Sequence, residues 1–191
     1  MLQPVVLDLE TQHTFREVGN DAKKLKISLA GLYDYASDQY LAFEEHELSK
    51  LFPYLENASE IIGFNIIDFD LPVLAPYYVG DVKKFIANDL LAHVQKSLGF
   101  RLSLDALAKE TLGTQKNGHG LLAIEYFRNG EMEKLKAYCL SDVKITKEVY
   151  EYGKAHGKVY YQTATGRQEI PVDWVSKAST VSSSVNLTLP W

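Results

Sequence analysis

Residues 3–10 place two acids on a strand that reads as central to a sheet. Val5, Leu7 and Leu9 face one way, and Val6, Asp8 and Glu10 face the other. The apolar first face marks an interior strand, where a carboxylate is costly unless it is paired or coordinated. Residues two apart in a strand project to the same side, about 6.5–7 Å apart along the chain, so one metal pair could bridge both acids. An isolated Asp-x-Glu is more often a strand end or a solvated face, and the pattern needs support from elsewhere in the chain.

The rest of the chain supplies a fold around that strand. Alternation returns over residues 25–35, with Ile27, Leu29, Gly31, Tyr33 and Tyr35 on one face, and residues 39–43 follow a Ser-Asp turn, so an antiparallel meander of three strands is expected. Leu48, Leu51, Phe52 and Leu55 have helical spacing, with Pro53 as a kink or a boundary between two segments. A strand at 60–64 comes next. Helices are expected over 71–78, 89–98, 103–112, 121–128 and 131–152, the last closed by Gly153. Strands first and helices afterwards predict an α/β fold: a mixed central sheet containing the antiparallel meander, with helices on both faces. Two units are expected, a domain over 1–155 and a C-terminal hairpin with a Ser/Thr-rich tail over 156–191.

The last helix carries the second signal. Leu135, Tyr138, Asp142, Ile145 and Val149 step by three and four along one stripe. A carboxylate within an apolar stripe has to meet a cation, a metal or a ring of donors. Tyr138 lies one turn before Asp142, so phenol and carboxylate can serve one site or simply bond to each other in the core. A third segment, Gly63-Phe64-Asn65-Ile66-Ile67-Asp68-Phe69-Asp70-Leu71-Pro72, ends a strand and enters a helix. There Asp70 would serve as an N-cap and Asp68 as a turn residue, if each is taken singly.

Composition excludes several classes of function. No apolar run reaches membrane-spanning length. One cysteine, Cys139, allows no internal disulfide, and with no basic and apolar leader after Met1 a reducing, cytoplasmic setting is expected. The net charge of -5 argues against a general basic coat for nucleic acid and leaves room for a local basic groove.

Taken in order, Asp8-Leu9-Glu10-Thr11, then Asn65 with Phe69-Asp70, then Tyr138-Cys139-Leu140-Ser141-Asp142 resemble the three exonuclease motifs of the DEDD superfamily in its tyrosine (DEDDy) variety. The wording is most similar to the proofreading exonuclease domain of family B DNA polymerases and the stand-alone bacterial exonucleases related to it. The resemblance spans residues 3 to about 152. It implies a ribonuclease H-like fold and a 3'-5' exonuclease that releases nucleoside 5'-monophosphates from single-stranded 3' ends, DNA being favoured over RNA. Asp8, Glu10, Asp70 and Asp142 would ligate two divalent ions, Mg2+ or Mn2+, about 3.5–4 Å apart. Tyr138 would orient the attacking water, since a phenol with a pKa near 10 is a poor base at neutral pH. Thr11, Asn65 and Phe69 would hold the terminal nucleotide. Lys116, in the glycine-rich loop that also holds His119, reads either as a strand-guiding contact or as a solvated loop lysine. A helicase or repair partner is the expected associate, and neither a membrane role nor proofreading within the same chain is expected. The competing readings are a catalytically weak nucleic-acid-binding module of the same fold and an endonuclease of the same broad fold.

Overall fold

The computed structural model describes residues 2–114 and 121–174. Lys116, His119 and the Ser/Thr-rich tail lie outside the described residues. Strands β1 (Val5–Thr11), β2 (Ile27–Asp34) and β3 (Gln39–Glu44) form the expected antiparallel meander. Helix α1 (Leu48–Glu56) leads to β4 (Ile61–Gly63), which pairs parallel to β1. After the short helix α2 (Asp70–Leu74), β5 (Ala87–Asp89) adds in parallel to β4, giving the order β3-β2-β1-β4-β5. Helices α3 (Leu90–Leu98), α4 (Leu104–Leu112), α5 (Leu121–Arg128) and α6 (Met132–His156) follow. The architecture is the mixed α/β sheet expected from the order of elements.

β1 is the middle strand, and its two faces feed different cores. Val5, Leu7 and Leu9 pack with Leu48, Leu51 and Leu55 of α1 and with Leu71 and Leu74 of α2. Val6, on the other face, packs with Leu107 of α4 and with Val143 and Val149 of α6. The α6 stripe read from spacing is buried throughout, at Leu135, Tyr138, Asp142, Ile145 and Val149. Asp8 and Glu10 therefore continue along the face that α6 covers.

Four elements depart from the sequence reading: α6 does not close at Gly153, which stays helical beneath the Trp174 ring, but runs on to His156 with Gly157 as its left-handed cap. β5 is a strand that the sequence did not announce, because three residues, Ala87-Asn88-Asp89, are too few for alternation to register. α2 stops at Leu74 instead of reaching Tyr78. Pro76 lacks an N–H and its ring crowds the carbonyl four residues back, a cost that so short a helix does not offset. Pro53 sits inside one continuous helix instead of dividing it. It and Ser49, whose carbonyl loses a partner, are both exposed, and water can satisfy that oxygen.

The C-terminal hairpin, β6 (Lys158–Thr163) with β7 (Gly166–Pro171), packs on the sheet domain. Val159, Ile170 and Trp174 share the core that holds Val6 and Leu107. Thr111 ties α4 to the hairpin, accepting from the Tyr160 N–H at 3.0 Å and donating to its carbonyl at 3.3 Å. The Trp174 ring stacks on Tyr150 at 6.4 Å and lies over Gly153 of α6, where a Cβ would fall 2.2 Å from a ring carbon. Only glycine leaves room for the indole at that point.

Candidate metal centre and nucleic-acid pocket

Asp8, Glu10 and Asp142 each bring a carboxylate oxygen to within 4.8 Å of the others. Glu10 and Asp142 are buried and Asp8 is half-buried. β1 supplies two of the acids from one face, and α6 lays the third across them. Gly31 of β2, the register partner of Asp8, makes this approach possible. A Cβ on Gly31 would fall 2.7 Å from Cys139 Sγ and 2.9 Å from Val143 Cγ2, so these two α6 side chains occupy the place of the missing one. Asp142 immediately precedes Val143 and is carried down onto β1 with it.

Cys139 belongs to the same constellation. Its Sγ is 3.7 Å from both the backbone oxygen and Oδ2 of Asp8. Burial, and then the charges of Asp8, Glu10 and Asp142, push its thiol well above the usual range, so it is a neutral weak donor among the acids.

Asp70 lies outside the three-acid cluster and sits beside β1 in the plane of the sheet, on the side where β4 pairs. Its Oδ1 accepts the Leu9 N–H at 2.9 Å, between the two acids of β1. The local reading of Asp70 as a helix N-cap does not hold, because Phe69 is the cap residue and Asp70 is the first residue of the helix. Burial pushes its carboxyl up to about 7, although the Leu9 N–H pulls the other way, and the nearby charge of Asp89 adds to the rise.

Tyr138, one turn before Asp142, lines the same cavity of about 400 Å3 as Asp8, Glu10 and Asp142. Thr11 and Phe69 also line it. The Thr11 hydroxyl donates to the His13 carbonyl at 3.0 Å, which braces the loop after β1. Asn65 lies outside the cavity. Its backbone has a φ of 70°, which an asparagine tolerates, and its side-chain oxygen accepts from Arg101.

Several residues of the site escaped the sequence reading. Asp89 is the N-cap of α3, accepting from Leu91 and Ala92, and it also accepts from the backbone of Asn65 at 2.9 Å and Ile67 at 3.1 Å. One carboxylate thus fixes the loop that delivers Phe69 and Asp70. An acid directly before a helical run was the available signal. Phe15, 41% exposed, lies 5.9 Å from Phe69, and the two rings share a wall of the cavity. No local pattern marks it. Gly31, a glycine inside a strand pattern, did carry a sign of close backbone approach.

The loop holding Phe15 is clasped from α5. Glu17 accepts from the Thr14 N–H at 2.7 Å and from the Arg128 guanidinium at 2.7 and 2.9 Å. The Thr14 backbone first, and then Arg128, hold its carboxyl at about 2, below the usual carboxylate range. A depressed folded-state pKa means that the clasp is complete above the ordinary glutamate range and is lost as pH falls through that range toward about 2. In Arg128→Ala the Glu17 pKa is expected to rise while staying below its usual value, because the Thr14 donors remain. A carboxyl-carbon NMR titration reads this, and an unchanged Glu17 would show that Arg128 does not hold the loop.

Among the described residues, no helix is long and apolar enough to cross a membrane. The family model described as RNase_H superfamily matches residues 5–153. No curated relative matches the sequence. Among solved structures, the fold is similar to that of a family B DNA polymerase from the hyperthermophilic archaeon Pyrobaculum calidifontis, with a TM-score of 0.62 and 16% identity. That likeness covers 80% of this chain and 24% of the polymerase chain.

Proposed function

Because the chain belongs to the RNase_H superfamily, we propose that it is a metal-dependent 3'-5' exonuclease of the DEDDy branch, acting on single-stranded nucleic acid with a preference for DNA. The observation that carries this reading is the convergence of Asp8, Glu10 and Asp142 within 4.8 Å on the wall of a cavity that Tyr138 shares. Three like charges held this close fit hard divalent cations, which all-oxygen donors favour as Mg2+ or Mn2+. Bound there, the ions would supply an activated water and neutralise charge on the leaving 3' oxygen. Asp8, Glu10 and Asp142 would hold them directly. Asp70 would act from beside β1, on the β4 side, fixing the Leu9 backbone between two of the ligands and completing the fourth acidic position.

Tyr138 donates or accepts through a neutral phenol and serves to orient water. Phe69 and Phe15 offer ring faces to the terminal bases, a contact worth about 1–3 kcal/mol per base where stacking is complete. Thr11 orders the loop at the cavity's edge. Asn65, through Arg101, would contact the strand farther from the reacting phosphate, and Lys116 would be a strand-guiding contact. Residues 1–155 would carry the catalysis, and the hairpin would brace α4 and α6. A helicase or other repair protein would supply the single strand.

The test is digestion of a 5'-fluorescein-labelled oligonucleotide with Mg2+ or Mn2+. Stepwise shortening from the 3' end, release of nucleoside 5'-monophosphates and complete arrest by EDTA are expected. Internal nicking of a circular single strand, or no shortening with either metal, would refute the reading.

A further inference from the structure

A second groove, of about 710 Å3, runs along the outer side of α2. Ile67, Leu71, Pro72, Ala75, Val82 and Phe85 give it an apolar lining, and Ile67 is 49% exposed. Lys23 and Lys83 line it as well. They come from two turns built alike, Asp21-Ala22-Lys23-Lys24 and Asp81-Val82-Lys83-Lys84, each a 3-10 turn capped by its aspartate. The caps use Asp21 and Asp81 to accept the N–H of Lys23 and Lys83 at 3.1 and 3.0 Å. Lys24 pairs with Asp21 at 3.6 Å, whereas Lys23, Lys83 and Lys84 make no ion pair among the described residues. Asp81 also lines the groove, with one carboxylate oxygen committed to its cap.

The groove adjoins the candidate catalytic cavity. Lys23 and Ile67 belong to the groove, and Leu25 and Phe69, each two residues further on, belong to the cavity. Two residues span at most about 7 Å, so a narrow lip separates the two spaces. On a chain of net charge -5, two lysines against one aspartate leave the lining of this groove net positive beside an apolar floor, a local inversion of sign. A polyanion with apolar faces complements that combination.

We infer that the α2 groove binds the single strand upstream of its 3' end, Lys23 and Lys83 meeting backbone phosphates while Ile67, Pro72 and Phe85 take sugars and base edges. The identity of the ligand rests on the nuclease reading above. Continuity with the catalytic cavity favours a nucleic-acid strand over an acidic peptide.

The test uses 5'-fluorescein-labelled oligothymidylates of 20 and 2 nucleotides, with binding read by fluorescence anisotropy in Ca2+ over a range of salt. Lys23→Gln/Lys83→Gln is expected to weaken the long oligonucleotide roughly tenfold and to reduce the slope of log affinity against log salt by about 1.4, two phosphate contacts at about 0.7 each. The short oligonucleotide, which ends before the groove, is expected to change less than twofold. Both lysines are exposed, and an unchanged melting temperature confirms that the variant is folded. Equal loss for both lengths, or no loss for the long one, would overturn the inference. So would a wild-type protein that does not bind the long oligonucleotide. Selection of acidic peptides from a random dodecapeptide display, bound through these lysines while strand affinity is unchanged, would assign the groove to a protein ligand instead. Cleavage that is intact but indifferent to length sinks the groove alone. Length-dependent binding without any cleavage sinks the nuclease reading alone.

Discussion

Asp142→Asn is expected to abolish 3' shortening, by roughly 10³-fold or more, while leaving the protein at least as stable as the parent in EDTA. The loss corresponds to about 4 kcal/mol of transition-state stabilisation, within reach of a group that holds a catalytic cation. The stability follows from the same geometry. With Asp8, Glu10 and Asp142 converging within 4.8 Å, the metal-free protein carries mutual repulsion that a neutral amide relieves. Activity and stability should thus move in opposite directions, which ordinary unfolding cannot imitate. Thermal melting with and without Mn2+ reads the second half: Mn2+ should raise the wild-type midpoint and leave that of the variant nearly unmoved. A variant that melts far below the parent in EDTA would mark Asp142 as a core-pairing residue.

Gly31→Ala should cripple the same reaction without touching any acid. The added methyl would sit 2.7 Å from Cys139 Sγ and 2.9 Å from Val143 Cγ2, and Val143 has no flexible end to move aside. α6 has to lift, at about 1–3 kcal/mol of overpacking. Asp142 would move with it, and a misplacement of about 1 Å at a reacting centre can cost about 10²-fold in rate. Gly31→Ala is therefore expected to lose about two orders of magnitude in kcat while still folding, as judged by an ordinary circular-dichroism spectrum. Cys139→Ala in the Gly31→Ala background vacates the contested space and should recover part of the rate. Full activity in Gly31→Ala would show that the fit between β2 and α6 does not set the site.

The contrast between these two positions shows what the sequence could reveal. Asp142 was legible because a helix stripe has a period, and an acid within an apolar stripe breaks it. Asp8 and Glu10 were legible because the alternation of β1 continues into them. The meander, long enough for its period to repeat, emerged where expected, and the final helix starts where expected but runs through Gly153 to His156. Gly31 carried only the general sign of a close approach, since what approaches it comes from more than a hundred residues away. Asp70 was ambiguous for a related reason. Its place before a helix fits a cap, and only the parallel pairing of β4 with β1 brings it to the Leu9 N–H. Asp89 and β5 were hidden in a three-residue strand that merges into a helix cap. The resemblance supplied the grouping of the acids, and the fold supplies Gly31, Cys139, Asp89 and Phe15 as the residues around them.

The most direct measurement is the anomalous difference map of a crystal soaked in manganese. Peaks bounded by the carboxylates of Asp8, Glu10 and Asp142, facing the cavity that Tyr138 lines, are the expected result. Manganese bound elsewhere on the surface, with those three side chains bare of metal, would contradict a cation-dependent nuclease centre on this fold.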